Sequence, residues 1–323
     1  MLLDLPATAK SVLLNIGSNK DPILPPANDT SVVAIAFEPM VPDLIEPHER
    51  LYVVPAAVSA EPGLASMART GFDSNAASLA PMADKKLERW LRGKMNGEDS
   101  KEATGQKKPA TKRTIRIVPI VAMSAVLGSL RDDLDLWYLK TDMQGFDYTG
   151  ALHAAGSGIA RFHYVASEVH LLGVEAYAGV SNDYCARMLP WMLSHGFEPI
   201  ALLTWWSISP TERSALRDSR LPRGRKTHEF AYLFHNGVPT FGASSATHTR
   251  RVNGAHAAHA YCKREAEYLA STNETTRPTG TREANAFFRR VGTRLPPPPV
   301  SIGHEDWPWL RAELSEAGTI KLS

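Results

Sequence analysis

The sequence predicts an α/β fold built on a mostly parallel sheet. Short β-branched apolar runs alternate with helix-compatible stretches over the first two thirds of the chain, the pattern of strands buried on both faces. The first of these runs enters a glycine turn and the second ends at an acid, as expected where a sheet opens onto a ligand crevice. With 323 residues, 43% of them hydrophobic, the chain is long enough to bury a sizeable core.

Taken in order, the predicted strands are Ser11 to Ile16, Ser31 to Phe37, Leu51 to Val54, Ile115 to Val121, Leu134 to Lys140 and Phe162 to Val169. A helix is predicted over Tyr184 to His195, stopped by Gly196, and a strand follows over Glu198 to Trp205. A last strand, His228 to His235, is expected to return antiparallel after a polar loop over 207–227. Residues 83–113 break the rhythm with ten Lys or Arg and five Asp or Glu, and read as a flexible basic insertion. The first unit, 1–236, is therefore expected to carry the sheet. Residues 237–323 show no long strand and read as a helical and irregular appendage, with one helix over Ala255 to Leu269.

Bulk properties exclude several classes. Charges nearly cancel, 36 Lys and Arg against 34 Asp and Glu for a net +2, which does not by itself call for a polyanionic partner. Residues 206–323 carry a local excess, 17 against 11, and RLPRGRK at 220–226 is a compact basic loop. No aromatic residue lies within that loop to stack a base, so a nucleic-acid partner is not the expectation. Cys185 and Cys262 are far apart and give no disulfide framework or paired zinc motif; a reducing compartment fits them. No signal sequence or run approaching ~18 apolar residues is seen, and the reading is of a soluble, cytoplasmic protein without a membrane partner.

The chemistry concentrates after the strands. Gly17, with Asn15, Ser18 and Asn19 around it, stands 21 residues before Glu38 and Pro39. A glycine lets the chain turn beneath a cofactor, and an acid at the neighbouring strand tip can accept from both ribose hydroxyls. Either residue alone also reads as a plain turn or an exposed strand-end acid. The later glycines of a dinucleotide loop are missing, with Lys20, Asp21 and Pro22 in their place, which leaves a nucleoside cofactor without phosphates. Lys140 and Asp142 alternate on one side of a strand end, where their spacing allows an ion pair, either at an active-site edge or merely neutralising buried charge, and Gln144 and Asp147 follow directly.

These segments resemble the FkbM family of S-adenosylmethionine-dependent methyltransferases. LLNIGSNKD is similar to the family's opening strand and glycine loop, VVAIAFEP to its second strand and ribose-binding acid, and VVPAAVSAEPG to its third strand. LWYLKTDMQGFD is similar to its Lys-x-Asp-x-Gln-Gly-x-Glu signature, and HYVASEV, with Glu168, to the next strand. The resemblance covers about residues 11 to 205 and implies a Rossmann-like class I methyltransferase fold, a seven-stranded, mostly parallel sheet with helices on both faces. It implies S-adenosylmethionine as cofactor and transfer of its methyl group to a hydroxyl of a small molecule or sugar. Asn15, Gly17, Ser18, Asn19, Glu38, Pro39, Asp142 and Gln144 become cofactor contacts, joined by Asn75 and Ser78 at the adenine edge, although Asp73-Ser74-Asn75 also reads as ordinary turn chemistry.

Asp142 is the first candidate for accepting the acceptor's proton or touching a metal, Glu168 the second, and Lys140 the third catalytic candidate. If both carboxylates approached one point they would suit Mg²⁺, but no residue is assigned as a metal ligand. His256, His259 and Cys262 repeat every three residues within an alanine-rich helix and lack a fourth ligand, so they are read as a helical stripe. Trp205 and Trp206 read as packing at the sheet end. Asn15 and Lys20-Asp21 depart from the family pattern, and they open a second reading, a binding or regulatory module that keeps the fold without turnover. The basic additions open a third, nucleic-acid methylation.

Overall fold

The computed structural model describes residues 4–70, 79, 113–174, 177, 179–204, 210–217, 231–235, 254–272 and 282–295. Within them the chain forms β1 (Ser11–Ile16), β2 (Val32–Phe37), β3 (Leu51–Val54), β4 (Ala57–Ser59), β5 (Gly63–Thr70) and β6 (Arg113–Ala122). β7 (Asp135–Thr141), β8 (Phe162–His170), β9 (Phe197–Thr204), β10 (Ala231–His235) and β11 (Glu283–Arg290) follow. Eight of these make one sheet in the order β3-β2-β1-β7-β8-β11-β9-β10. β1, β2, β3, β7 and β8 run parallel; β11 runs antiparallel to both β8 and β9, and β10 antiparallel to β9. The protein is thus mixed α/β with a large, mostly parallel sheet of Rossmann-like form, one strand wider than the expected seven.

The sequence explains the central strands directly. All of β2 (VVAIAF) and all nine residues of β8 are buried, as both-face burial requires. Ile115 to Val121 is a strand as expected but leaves the main sheet: β6 pairs with β4 and β5 in a separate three-stranded sheet. Short connections, not a long helix, lie between β3, β4 and β5, so this stretch folds back locally.

The appendage reading is corrected by β11. This strand, EANAFFRR, has no β-branched residue, so its propensity is weak, and its place comes from burial between β8 and β9. Residues 237–323 therefore contribute a central strand to the sheet. The helix expected at Ala255 to Leu269 is present as Gly254–Ser271.

The helices are α1 (Met123–Gly128), α2 (His153–Ala155, flanked by the π turn Asp147–Leu152 and the 3-10 stretch Gly156–Arg161), α3 (Leu189–Ser194, after the π turn Tyr184–Met188), α4 (Pro210–Leu216) and α5 (Gly254–Ser271). Asp183 caps the Tyr184 turn by accepting from the Ala186 amide, and Gly196, at φ +80°, ends the α3 segment as anticipated. Each helix that buries apolar side chains does so on one face of the sheet, in the cluster of Val12, Leu14, Leu139 and Val165. The opposite face packs Leu13, Ala34, Tyr138, Tyr164, Ala166 and Phe287 with loop residue Ile23, and no described helix contributes to it. Helices on both faces were expected. The β1–β2 and β2–β3 connections carry Pro22, Pro25, Pro26, Pro39, Pro42 and Pro47, which forbid a helix interior and leave only the 3-10 turn Pro42–Leu44.

The two cysteines are also corrected. Cys185 and Cys262, 77 residues apart, are joined in a disulfide that ties the Tyr184 turn to α5. Sequence distance concealed a Cα separation of 5.5 Å, and the argument from unpaired cysteines to a reducing compartment falls with it. Among the described residues no helix is long and apolar enough to cross a membrane.

Candidate active site

β1 has β2 on one side and β7 on the other, so its carboxyl end is a topological switch point, where open α/β sheets form their ligand crevice. Three turns meet there. Gly17 takes φ +75°, and a Cβ at this position would lie 1.9 Å from the Asp142 carbonyl oxygen. Only glycine lets the β1 turn lie against the β7 turn. The Asp142 amide donates to the Ile16 carbonyl at 2.9 Å, and the Gly17 and Ser18 amides donate to Phe37, which fastens the turns together.

Glu38 is buried at the tip of β2, and its carboxylate holds both loops. Oε2 accepts from the Asn19 amide at 2.8 Å, while Oε1 accepts from the Met40 and Val41 amides at 2.7 and 3.0 Å. Of the roughly four acceptor positions on a carboxylate, about one, on Oε2, remains beside the crevice. Asn19 sits in the left-handed region at φ +50°, held by this bond. Ser18 is buried with its hydroxyl on the Asn19 carbonyl, and Pro39 is half-buried behind Glu38.

Asn15 is buried within β1, where its Oδ1 accepts from the Ile23 amide at 3.0 Å, pinning the following loop, while Nδ2 is buried with no hydrogen-bond partner among the described residues. Lys20 and Asp21 stand exposed on that same loop. Asn75 and Ser78 lie outside the described residues, as do Asp73, Ser74, the 83–112 part of the insertion, RLPRGRK, Trp205 and Trp206. Of the 207–227 loop, residues 210–217 are described and contain α4.

The β7 turn assembles the signature residues. Lys140 Nζ lies 3.5 Å from Asp142 Oδ2, and Gln144 Nε2 donates to Asp142 Oδ1 at 3.1 Å. The Tyr177 hydroxyl donates to Gln144 Oε1 at 2.7 Å, and its ring covers Gly145, where a Cβ would come within 2.6 Å of it. Asp147 is fully buried: it accepts from the Met143 amide at 3.0 Å and from Asn182 Nδ2 at 3.1 Å. The same Asn182 nitrogen donates to the Glu168 carbonyl at 2.8 Å, so one amide links the β7 turn to β8. Thr141 and Ser167 share a hydrogen bond of 2.7 Å between these strands.

Burial and crowding of carboxylates set the proton affinities. Burial, with the Asp142 charge next, pushes Asp147 up to about 7. Glu168 is raised well above the ordinary carboxylate range by burial, then by Asp142, Glu283 and Asp147, with Lys140 opposing. Burial thus favours the protonated form of both groups, and Glu168 accepts no hydrogen bond at its carboxyl from the described residues. Asp142, by contrast, is engaged by Lys140 and Gln144. Of the two predicted proton acceptors, Glu168 is the one whose carboxyl no neighbouring side chain holds among the described residues. Among the described residues no three His, Cys, Asp or Glu side chains converge as metal ligands.

Sequence reasoning missed His170, Tyr177, Asn182 and Glu283. His170 follows Glu168 by two, the same strand alternation that linked Lys140 to Asp142, and that was the available signal. Tyr177 and Asn182 lie on a loop with no periodicity to mark them. Compared with family models, curated proteins and solved structures, the chain matches none.

Proposed function

We propose that the protein is an S-adenosylmethionine-dependent methyltransferase of class I form, acting on a hydroxyl of a small molecule or sugar. The observation that carries this reading is the meeting at the switch point of the Gly17–Asn19 turn, the Glu38 carboxylate and the Asp142–Gln144 turn. The sheet supports it. Its order departs from the all-parallel 3-2-1-4-5-6 of dinucleotide-binding sheets. A late strand reversed between the last two parallel ones, as β11 is, is the form a class I methyltransferase sheet takes, to which β10 adds an edge.

The residues fit that cofactor chemically. Glu38 Oε2 retains an acceptor position suited to a ribose hydroxyl, and Asn15 Nδ2 is a buried donor without a partner among the described residues. When bound, S-adenosylmethionine supplies an electrophilic methyl group on a sulfonium. Glu38 holds the loop that frames the crevice. Lys140 and Gln144 fix the Asp142 carboxylate. Glu168, when ionised, takes the proton that the acceptor hydroxyl loses.

Calorimetric titration of the full chain with S-adenosylmethionine and S-adenosylhomocysteine tests this. Saturable binding is expected, weakened roughly ten- to hundredfold in Glu38→Ala by loss of one charge-assisted hydrogen bond, while Asp142→Asn binds and turns over slowly. Absence of binding by the intact, folded protein sinks the enzyme reading. It would favour a second one, a binding module on the same fold, for which Asn15 and the three amides already on Glu38 are the supporting observations.

A further inference from the structure

The β7 turn is held in a conformation that its own residues do not favour. Gln144 takes φ +53° and Gly145 φ +97°, two successive residues in the left-handed region. Glycine adopts that region freely, but the Cβ of a glutamine crowds the following carbonyl there, so Gln144 keeps this backbone only where its surroundings hold it. Backbone amides secure the turn on either side: that of Asp142 donates to the Ile16 carbonyl, and that of Met143 to Asp147 Oδ1. Neither bond involves Gln144.

Tyr177 supplies a hold on Gln144 itself. It lies on the loop between β8 and the Tyr184 turn, 33 residues along the chain from Gln144, and is 3% exposed. Its hydroxyl donates to Gln144 Oε1 at 2.7 Å, and its ring rests on Gly145, where a Cβ would meet Cδ2 at 2.6 Å. From β8 the His170 ring lies along it, with centroids 6.4 Å apart and planes 24° apart. Burial, and after it the neighbouring carboxylates, raise the phenol well above its ordinary pKa, so the hydroxyl keeps its proton and remains a donor.

A primary amide carries its acceptor and its donor on opposite branches. With Oε1 on the Tyr177 hydroxyl, Nε2 faces Asp142 and donates to Oδ1 at 3.1 Å, while Lys140 Nζ stands 3.5 Å from Oδ2. Turning the amide over would set Oε1 against the carboxylate, two acceptors with no proton between them. The chain Tyr177–Gln144–Asp142 therefore has one sense. It runs from a donor on the loop to a carboxylate just past β7, beside the Gly17 turn.

We propose that Tyr177 is a positioning residue for the crevice: its ring and hydroxyl lock Gln144 and Gly145 in the left-handed turn and, through the Gln144 amide, fix where the Asp142 carboxylate stands. Its part in cofactor binding rests on the function proposed above; the lock itself does not. A tyrosine that merely filled space over Gly145 would act through its ring alone, and phenylalanine would replace it without effect.

The test uses the full-length oxidised protein and Tyr177→Phe, which keeps the ring on Gly145 and removes the hydroxyl. Two signals that need no ligand are followed by nuclear magnetic resonance. They are the carboxyl carbon of Asp142, assigned by its absence in Asp142→Asn, and the side-chain amide hydrogens of Gln144, assigned by their absence in Gln144→Leu. Tyr177→Phe is expected to move the Asp142 signal and to speed exchange of the Gln144 hydrogens about tenfold, as loss of one buried hydrogen bond allows. In the Gln144→Leu background the same substitution should leave the Asp142 signal where Gln144→Leu alone puts it, because the path is cut. Signals unmoved by Tyr177→Phe, or an Asp142 shift that adds in full to that of Gln144→Leu, would overturn the lock. S-adenosylhomocysteine titrated in parallel separates the two ideas. Binding about fivefold weaker in Tyr177→Phe is expected, and binding that this variant leaves unweakened overturns the positioning role. No nucleoside binding by the folded wild type sinks the methyltransferase reading alone, and the lock is then decided by the two signals.

Discussion

Two closely packed residues set the sharpest expectations at the scale of single residues. Gly17 combines φ +75° with a Cβ position 1.9 Å from the Asp142 carbonyl oxygen, so Gly17→Ala must both strain its own backbone and displace the β7 turn. A loss of about 3 kcal/mol is expected from a left-handed alanine plus overpacking, read as a lowered urea midpoint; a loss below about 1 kcal/mol would mean the turns are not packed this way. Glu265 of α5 accepts from the Tyr261 hydroxyl and a Leu172 backbone group, and burial raises its pKa from 4.5 to about 7. Below pH 4.5 folded and unfolded states both carry the proton. Between there and pH 7 the unfolded state gives it up first, so stability is lost as pH rises and the loss levels off above 7. Relative to Glu265→Gln, in which the Tyr261 hydroxyl can reverse its role, the wild type should lose about 3 kcal/mol from pH 4 to 8. Parallel unfolding curves of the two proteins across that range would refute it. Residues of this kind divide by legibility. Gly17, Glu38 and the Lys140–Gln144 turn were readable because each follows a strand end at fixed spacing. For Asn15, sequence gives the position on β1 but not that its Oδ1 is taken by the Ile23 amide.

At the scale of elements, the disulfide is the interaction that sequence could not supply. Cys185 lies in the turn that begins two residues after Asn182, the amide linking Asp147 to Glu168, and Cys262 lies on α5, whose Tyr261 packs against Tyr184. The bond thus braces the loop behind the candidate site against a helix from the far end of the chain. Closing a loop of 77 residues stabilises by about 4 kcal/mol in the chain-entropy account. Thiol titration of the unfolded, unreduced protein is expected to find no free thiol, and Cys185→Ser with Cys262→Ser, or reduction, to lower stability by that order. Two free thiols in the protein as purified would contradict the pairing. Strands show the same division as residues. β1, β2, β7 and β8 are apolar on both faces and announce themselves, whereas β11 alternates Ala, Asn and Phe between charged ends and has only tertiary burial to define it. Proline content in the β1–β2 and β2–β3 connections was equally legible, and it accounts for the face without helices.

At the scale of the whole molecule, the sheet closes only when the last third of the chain returns to it. β8 and β9 do not pair with each other; each pairs with β11, so the sequence between residues 162 and 204 depends on a strand that begins at residue 283. Three further links depend on the same return. Arg289 binds Glu198 across β11 and β9, Arg282 binds Glu212 of α4 at 3.1 Å with both side chains largely buried, and Cys262 binds Cys185. Removing residues 237–323 would leave β9 and β10 detached from β8 and expose the facing edges of both, with their amides and carbonyls unpaired. A genuine appendage would come away with the remainder still folded. The truncated chain 1–236 is instead expected to aggregate or to lose its cooperative unfolding transition in urea, and near-ultraviolet circular dichroism should show that its aromatic packing is gone. A soluble fragment that unfolds cooperatively with a midpoint close to that of the full chain would remove β11 from the centre of the sheet. It would also remove Glu283 and Asn285 from the face they share with Glu168 and His170, because their place there is fixed by the pairing of β11 with β8 and by nothing nearer in sequence.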